Sequence, residues 1–346
     1  MPLVAIPDKY SIQAEGVEIL RDDRILLSLR WGGGLFKDAY AEAQIYDPNS
    51  VFPVSSYGGI WDIYVGGQHI FRGYVSEPVK ERGMGGQVFT IGFRGTMESW
   101  DVLLTNQTFG PNGADHTVTS VVDYIRYLVE TVSAMSGIPF QGPLPQNNKQ
   151  FTDIYQDGIL AVTNSTYLSE IRRACQALGF IIFNDPVGTI RIIDATNPPG
   201  TVIFTSAAHS DKLLTGIFRE VLSHIPATVL VNDDVLNEGA AYGHLGTPQN
   251  NQNYNETKID NITFATTVGM KKEALPEIAE HIYTVSRKAS KKLHIEWAGI
   301  PTAEQILGYQ MSWTDSAGAQ GQYTISGYEV DITPSEMKTV MEGYIS

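Results

Sequence analysis

Short apolar runs divided by glycine-rich turns fill the first hundred residues, and this pattern constrains the fold more than any other feature. The runs at 60–65 and 69–75 flank a Gly-Gly pair, which is typical of a β-hairpin. A second hairpin is expected around residues 83–86, and residues 40–46 alternate with the two-residue period of a half-buried strand. Residues 32–34, all glycine, are interpreted as a turn or flexible loop tip. Short strands at this spacing predict a β-barrel or β-sandwich.

The pattern changes to a helical period after Thr117. Between Val118 and Met135, apolar residues recur at i, i+3, i+4 and i+7, which predicts an amphipathic helix of about five turns. Asp115 or Thr117 is the expected N-terminal cap of this helix, and Gly137 is expected to end it.

A second helix is predicted after Ser165, with Gly179 as its C-terminal cap. The apolar runs at 180–183 and 189–193 then predict two strands joined by a turn. Residues 105–199 are therefore expected to form a small α+β domain.

The sequence Asn-Pro-Pro-Gly at 197–200 is the best domain boundary in the chain, and strand patterns return after it. A third helix is predicted from Leu275 to Ala289. Residues 237–258 are polar and rich in Asn, Gln and Gly, and they are interpreted as a long exposed loop.

These patterns predict a β-rich chain with an α+β insert, in which two β-barrel domains flank a small α+β domain. The expected domains are residues 1–104 for the first barrel, 105–199 for the insert and 200–346 for the second barrel. The second barrel would also contain a helix and the polar loop 237–258.

Charge and cysteine content limit the possible partners and chemistry. The 24 Lys and Arg residues against 38 Asp and Glu residues give a net charge of −14, which disfavours a sequence-reading or DNA-coating role. Cys175 is the single cysteine, so neither an internal disulfide nor a cysteine-based zinc site can form, and we expect it to be a buried helix residue. The sequence contains no run of 18 apolar residues and no signal-peptide pattern. We therefore expect that the chain does not insert into a membrane and that it folds in a cytoplasm.

The search for chemical sites predicts no catalytic, cofactor-binding or metal-binding residues. No two of the seven histidines have metal-ligand spacing on one predicted helix, and His281 is interpreted as a surface or capping residue. Asp233 and Asp234 are interpreted as part of a turn. Glu296 and Asp315 flank tryptophans, as in a carbohydrate-hydrolase cleft, but no known carboxylate spacing is present. With no P-loop and no Gly-x-Ser-x-Gly motif either, the chain is not expected to be an enzyme.

The five tryptophans lie near the ends of predicted strands: Trp31, Trp61, Trp100, Trp297 and Trp313. Large aromatic side chains bury much area at low entropic cost, so core or subunit-interface positions are favoured. An exposed aromatic platform that binds glycans is the alternative interpretation.

Three blocks of sequence resemble the bacteriophage tail-hub family, whose members are hub proteins of tail tips, baseplates and related contractile injection systems. In chain order the blocks are residues 39–47 with 61–67 and 71–75, residues 167–180 with the hairpin 185–192, and residues 322–330. The second block matches the pattern of the family's insert domain, which is a helix, a glycine, a strand, an Asp-x-x-Gly turn and a second strand.

The resemblance implies two tail-hub-type β-barrel domains in each subunit and a homotrimer that forms a pseudo-six-fold ring. Such a ring would join the tail tube or a distal tail protein to a central spike or fibre, and the tape measure protein would be a further partner. Because the chain is acidic and has no recognisable chemical site, we expect no cofactor and no sequence-specific nucleic acid as partners. The resemblance also implies a location in the virion tail tip or baseplate, after assembly in the host cytoplasm.

Three other functions remain open at this point. The chain could be a receptor- or carbohydrate-binding module of the tail, which would need an exposed aromatic platform. It could be a distal tail or tube-adaptor protein. It could also be a hub with a wall-degrading activity, for which Glu296 and Asp315 are the candidate residues.

Overall fold

The computed structural model describes residues 10–20, 24–48, 59–83, 86–112, 114–195, 197, 202–205, 213–220, 228–233, 238–243, 262–267, 269–297, 307–314, 320–333 and 337–345. The strands before residue 95 are β1 (Tyr10–Ala14), β2 (Val17–Glu18), β3 (Ile25–Gly34), β4 (Lys37–Asp47), β5 (Ile60–Val65), β6 (Gln68–Gly83) and β7 (Gly86–Arg94). The central elements are β8 (Leu103–Leu104), β9 (Gln107–Gly110), β10 (His116–Thr117), α1 (Val121–Ser136), α2 (Phe151–Ile154), β11 (Leu160–Val162), β12 (Ser165–Thr166), α3 (Tyr167–Leu178), β13 (Phe180–Asn184) and β14 (Ile190–Asp194). The later elements are β15 (Val202–Thr205), β16 (Leu213–Glu220), β17 (Thr228–Asp233), β18 (Glu238–Gly243), β19 (Ile262–Thr267), α4 (Leu275–Ser290), β20 (Lys291–Trp297), β21 (Gln310–Thr314), β22 (Gln320–Ile332) and β23 (Met337–Ile345).

Among the described residues, strands from both sides of the central region form one 13-stranded sheet, while β17, β18 and β19 form a separate sheet. The strand order along the main path of the 13-stranded sheet is β16-β20-β23-β22-β3-β4-β7-β6-β5-β1-β2. Off this path, β21 pairs with β22, and β15 pairs with β21. The two halves meet where β22 and β3 pair antiparallel, from Gly327 opposite Gly34 to Ile332 opposite Leu29. We call this contact the seam. The predicted β-rich class with an α+β insert is confirmed, whereas closure of either half into a barrel stays a prediction.

Each half of the sheet has the same strand order. The first repeat runs β1-β5-β6-β7-β4-β3 across the sheet, and the second runs β15-β21-β22-β23-β20-β16. Along the chain, the six strands follow one another in the same sequence in both repeats. The pairing direction also agrees, except that β1 is antiparallel to β5 while β15 is parallel to β21. The protein is therefore a tandem repeat of one strand topology.

The pairing registers of the two repeats coincide at a constant spacing. Tyr74 pairs with Ile60 on one side and with Arg94 on the other. Thr324, which lies 250 positions later in the chain, pairs with the residues 250 positions after those, Gln310 and Tyr344. Strands β5 to β7 thus correspond to β21 to β23 residue by residue, apart from a β-bulge after Ile63 that the β21–β22 pair lacks.

The glycines at positions 32–34 correct one prediction. They do not form a turn or loop tip but lie within β3 and are buried against β22. A Cβ on Gly32 would lie 2.4 Å from the backbone oxygen of Tyr328, and one on Gly34 would lie 2.8 Å from that of Ser326. Gly32 and Gly34 are needed because the two repeats approach too closely at these positions for a side chain.

The central elements pack into a second core together with residues from beyond position 200. Helices α1 and α3 bury the predicted apolar faces against each other, including Ile125, Leu128 and Ile171. Val229 of β17 and Ile278 of α4 join the same cluster. Helix α4 therefore lies between α3 and the sheet β18-β17-β19. The boundaries at 104 and 199 stay predictions, but the packed cores do not follow chain order after 199.

Two further local predictions need correction. Residues 238–243, which were expected to begin the polar loop 237–258, form strand β18 because they pair along β17. The rest of that segment lies outside the described residues. Helix α1 is capped by Ser120 rather than by Asp115 or Thr117, and Gly137 ends it in the left-handed conformation as predicted.

None of the helices in the described parts of the chain is long and apolar enough to span a membrane.

Candidate assembly surface

The seam is reinforced on one face by three polar side chains from three strands. Arg30 on β3 donates from Nη2 to Oε1 of Glu329 on β22 at 2.5 Å, and the hydroxyl of Tyr40 on β4 donates to the other carboxylate oxygen. Burial and the bond to Glu329 raise the pKa of Tyr40, so its phenol stays a donor. Because Arg30 is half exposed, the ion pair adds no more than about 1 kcal/mol. Backbone pairing and close glycine packing therefore hold the seam.

A cleft of about 280 Å³ lies over this face of the seam. Polar and aromatic residues of both repeats line it, among them Phe36, Tyr40, His294, Glu329 and Glu342. The Phe36 ring is 44% exposed and lies 6.4 Å from the Tyr344 ring, measured between centroids. The cleft thus presents a mixed surface built jointly by the two repeats.

The central region is anchored to the first repeat through the turn between β13 and β14. The Arg72 backbone N–H donates to the Pro186 carbonyl at 2.7 Å, and the Thr96 hydroxyl donates to the Gly188 carbonyl at 3.0 Å. Gly188 has a φ of 84°, and a Cβ there would lie 2.9 Å from the Arg72 side chain. The predicted Asp-x-x-Gly turn is confirmed, and it fixes the central region against β6.

His281, which was interpreted as a surface or capping residue, caps a carbonyl of α3. Its Nδ1 donates to the Ala177 carbonyl at 3.0 Å, which satisfies a carbonyl in the last turn of α3. Beside it, Lys149 Nζ lies 2.6 Å from Glu277 Oε2, and this ion pair attaches the start of α4 to the segment before α2. Both contacts hold α4 against the central region.

Glu170 is buried beside a cavity of about 160 Å³, and three polar side chains surround its carboxyl group. It is 3% exposed, and it accepts hydrogen bonds from Ser165 Oγ at 2.5 Å and from Arg173 Nη1 at 2.7 Å. The Tyr124 hydroxyl approaches its other oxygen at 3.4 Å. These contacts fix the start of α3, so Glu170 has a structural role.

Of the two carboxylates considered for catalysis, the structure describes Glu296 alone. Glu296 on β20 pairs with Lys338 on β23 at 2.6 Å, which is a contact within the second repeat. Asp315 and Asp234 lie outside the described residues, and Asp233 ends β17. Within the described ranges, no three His, Cys, Asp or Glu side chains are grouped so that they could hold a metal ion.

The tryptophans support the core interpretation. Trp31, Trp61 and Trp100 are fully buried, so none of the three can belong to an exposed glycan platform. Trp313 is half-buried, and a Cβ on Gly216 would lie 2.3 Å from its ring, so the indole packs on the β16 backbone. Cys175 is buried as predicted, and burial raises the pKa of its thiol.

Two strand edges complete the assembly surface. Among the strands that the structure describes, residues 78–83 of β6 pair only with β7, and β16 pairs only with β20. An unpaired edge presents a row of N–H and C=O groups that can bind another strand. The amino-acid sequence alone does not predict the seam, its ion pair or these edges. The run of three glycines is the one sequence feature that is related to the seam.

The described fold is that of known tail proteins. Over 97% of this chain and 96% of the other, it matches a tail protein from Neisseria meningitidis with a TM-score of 0.62 at 13% identity. A 43 kDa tail protein of prophage MuSo2 from Shewanella oneidensis matches over 97% of both chains, with a TM-score of 0.63 at 12% identity. An Escherichia coli component of the type VI secretion system, described as similar to the bacteriophage T4 tail proteins gp27 and gp5, matches over 98% of this chain and 77% of that chain. Its TM-score is 0.57 at 8% identity.

No protein-family model matches the sequence, and no curated protein matches it by sequence. The likeness to the solved tail proteins therefore lies in the fold. It confirms the β-rich fold with an α+β insert that the resemblance to the tail-hub family implies, whereas the two closed barrels stay a prediction.

Proposed function

We propose that this protein is a structural subunit of a bacteriophage tail tip or baseplate, or of a related injection machine. Three copies form a pseudo-six-fold ring that joins the tail tube or a distal tail protein to a central spike or fibre. In this role the subunit is part of the virion, is assembled in the host cytoplasm, contacts the tape measure protein and has no catalytic activity.

The tandem repeat is the observation that carries this proposal. Two copies of one strand topology are joined edge to edge at the seam, so a single chain already presents two equivalent ring segments. Three chains then supply six segments, which lets a three-fold oligomer match a six-fold tube. A head-to-tail contact of this kind closes into a ring when the rotation between neighbouring segments is a whole-number fraction of a full turn. The fold shared with solved tail proteins is consistent with this role.

The mass of the purified protein, measured by light scattering over a concentration series, tests the proposal. We expect a species of three chains, each of 38.0 kDa, that becomes dominant as concentration rises or when tail tube protein is added. A chain that stays monomeric in every condition, including the mixture, would contradict the ring.

A further inference from the structure

We propose that residues 78–83 of β6 pair antiparallel with β16 of a second copy of this chain, and that this contact reproduces the seam between subunits. The inference rests on the proposed ring and names the strands that close it. Its basis is the equivalence of the two repeats, since each edge of one repeat has a counterpart in the other.

Residue equivalence across the repeats identifies the partner strand. In the seam, the C-terminal half of β22 pairs with β3. The counterpart of β22, 250 positions earlier, is β6. The counterpart of β3 follows from the pairing ladder, which runs Gly92–Glu42–Arg30 in the first repeat and Glu342–His294–Ile217 in the second. Ile217 of β16 therefore corresponds to Arg30 of β3.

Both counterpart edges are open in the described structure. Residues 68–74 of β6 pair with β5, as residues 320–324 of β22 pair with β21. Beyond that point β22 continues along β3, whereas among the described strands the matching part of β6 has β7 alone as a neighbour. The outer side of β16 is likewise free of any described strand. The two edges thus lack the contact that their equivalents make inside the chain.

The register of the proposed contact follows directly from the seam. Asp331 lies opposite Arg30 in the seam, so Glu81 is expected opposite Ile217 of the second copy. The Leu35 N–H donates to the Ser326 carbonyl at 2.8 Å. Because hydrogen-bonded pairs alternate with non-hydrogen-bonded pairs, the backbone groups of every second residue from 326 onward face β3. Asp331 and Arg30 therefore form a non-hydrogen-bonded pair, and so should Glu81 and Ile217.

The proline in this edge limits how the contact can be made. Pro78 corresponds to Tyr328, whose backbone oxygen faces β3 across the seam. The N–H that proline lacks would therefore point toward the second copy and not toward β7, so the pairing within the chain is undisturbed. Pro78 can offer the second copy only its carbonyl, and the donors of the contact are the N–H groups of Lys80 and Arg82.

Engineered disulfides test the contact. The pair Glu81→Cys and Ile217→Cys should crosslink neighbouring chains after mild oxidation, because opposite residues of a non-hydrogen-bonded pair lie about 4.5 Å apart between Cα atoms. We expect covalent dimers and trimers on a non-reducing gel. Each single variant should give neither trimers nor larger species. The native Cys175 is 1% exposed and should not react.

Two matched variants control the geometry. Arg30→Cys with Asp331→Cys, the equivalent pair of the seam, should form a disulfide within one chain and leave its mass unchanged. Glu81→Cys with Arg219→Cys is displaced by two residues along the same strand and should crosslink at least several-fold less. Equal crosslinking by the displaced pair would overturn the inferred register.

A second variant tests the contact without cysteines. Lys80→Pro removes an N–H that is expected to face the second copy and leaves the bonds to β7 intact, so the folded chain should lose its oligomer. A trimer that forms without 81–217 crosslinks and tolerates Lys80→Pro would overturn this pairing and leave the proposed ring standing. A chain that is both monomeric and uncrosslinked at all concentrations would overturn the pairing and the ring together.

Discussion

Glycine at the seam serves close approach between two backbones and not chain reversal. Replacing Gly32 by alanine would place a Cβ 2.4 Å from the Tyr328 backbone oxygen, and that oxygen cannot rotate away. We expect the Gly32→Ala variant to lose about 1–3 kcal/mol of unfolding free energy, the usual cost of overpacking, measured by denaturant titration. The control is Gly327→Ala in the same strand pair, where the nearest atom to the new Cβ would be 3.5 Å away.

The two variants separate the explanations for these glycines. If neither variant loses unfolding free energy, the close approach at the seam is not a packing constraint. If both lose the same amount, the cost is a general property of glycine in this sheet. Only a selective loss for Gly32→Ala supports the seam as it is described.

The run of three glycines also shows why sequence reasoning reached a wrong result at this point. Glycine is favoured in turns because it has no Cβ, and for the same reason it allows two strands to approach closely. The local sequence cannot distinguish these uses, since the decisive atom belongs to Tyr328, almost 300 positions away. The same distance hides the bonds from Arg30 and Tyr40 to Glu329.

At the scale of elements, helix α1 begins with a reciprocal cap. The Asp123 N–H donates to Ser120 Oγ at 3.0 Å, and the Asp123 carboxylate accepts from the Ser120 N–H at 3.3 Å and from the Thr119 hydroxyl at 2.9 Å. Burial raises the pKa of Asp123, but the hydrogen bonds from Ser120 and Thr119 outweigh it, so the net pKa is lowered. Ionised Asp123 therefore stabilises the folded state.

This cap predicts a pH-dependent stability difference. A carboxyl whose pKa is lowered by folding contributes stability above its unfolded pKa of about 3.9, and that contribution is lost as the pH falls through the folded value. We expect Asp123→Asn to be less stable than the original chain near pH 6, and the gap should shrink below about pH 4. Unfolding free energies measured between pH 2.5 and 6 test this, with Glu130→Gln in the exposed middle of α1 as the control. A gap that is independent of pH would show that the carboxylate charge does not support the cap.

Helices were easier to predict than strands for a physical reason. The apolar residues of α1, α3 and α4 repeat over three or more turns, so each helix is encoded in its own sequence. Strands β18 and β20 are short and were both missed, and the partners of β20, β16 and β23, are distant in the chain. Residues 238–243 are too polar and glycine-rich to predict a strand, yet pairing with β17 makes them one.

At the scale of the whole molecule, the tandem repeat is invisible in the sequence. Between residues 60–94 and their counterparts at 310–344, the single identical pair is Ser76 and Ser326. What the repeats share is the alternation of inward positions, such as Ile91 with Met341, both of which are buried. Such alternation fixes which face is buried but not which strands are neighbours. The strand-rich class could therefore be predicted, whereas the repeat and its edges required the structure.

Amide hydrogen exchange gives a residue-level prediction for the assembled ring. The amides of Val330 and Ile332 are expected to bond to β3 within one chain, so they should exchange slowly at every concentration. Their counterparts, Lys80 and Arg82, should exchange rapidly while light scattering gives the mass of a single chain. They should become slow when the trimer forms, because β16 of the next copy then accepts their hydrogen bonds.

Neighbouring residues in the same strand supply the control for this measurement. The amides of Val79 and Glu81 should face β7, with which both residues pair, and should be protected in the monomer and the trimer alike. Slow exchange at Lys80 and Arg82 in the monomer would mean that this edge is already covered by its own chain. Rapid exchange in the trimer would mean that the subunits meet elsewhere. If exchange slows upon assembly only at the amides of Lys80 and Arg82, the same strand pairing occurs within one chain at the seam and between neighbouring chains in the trimer.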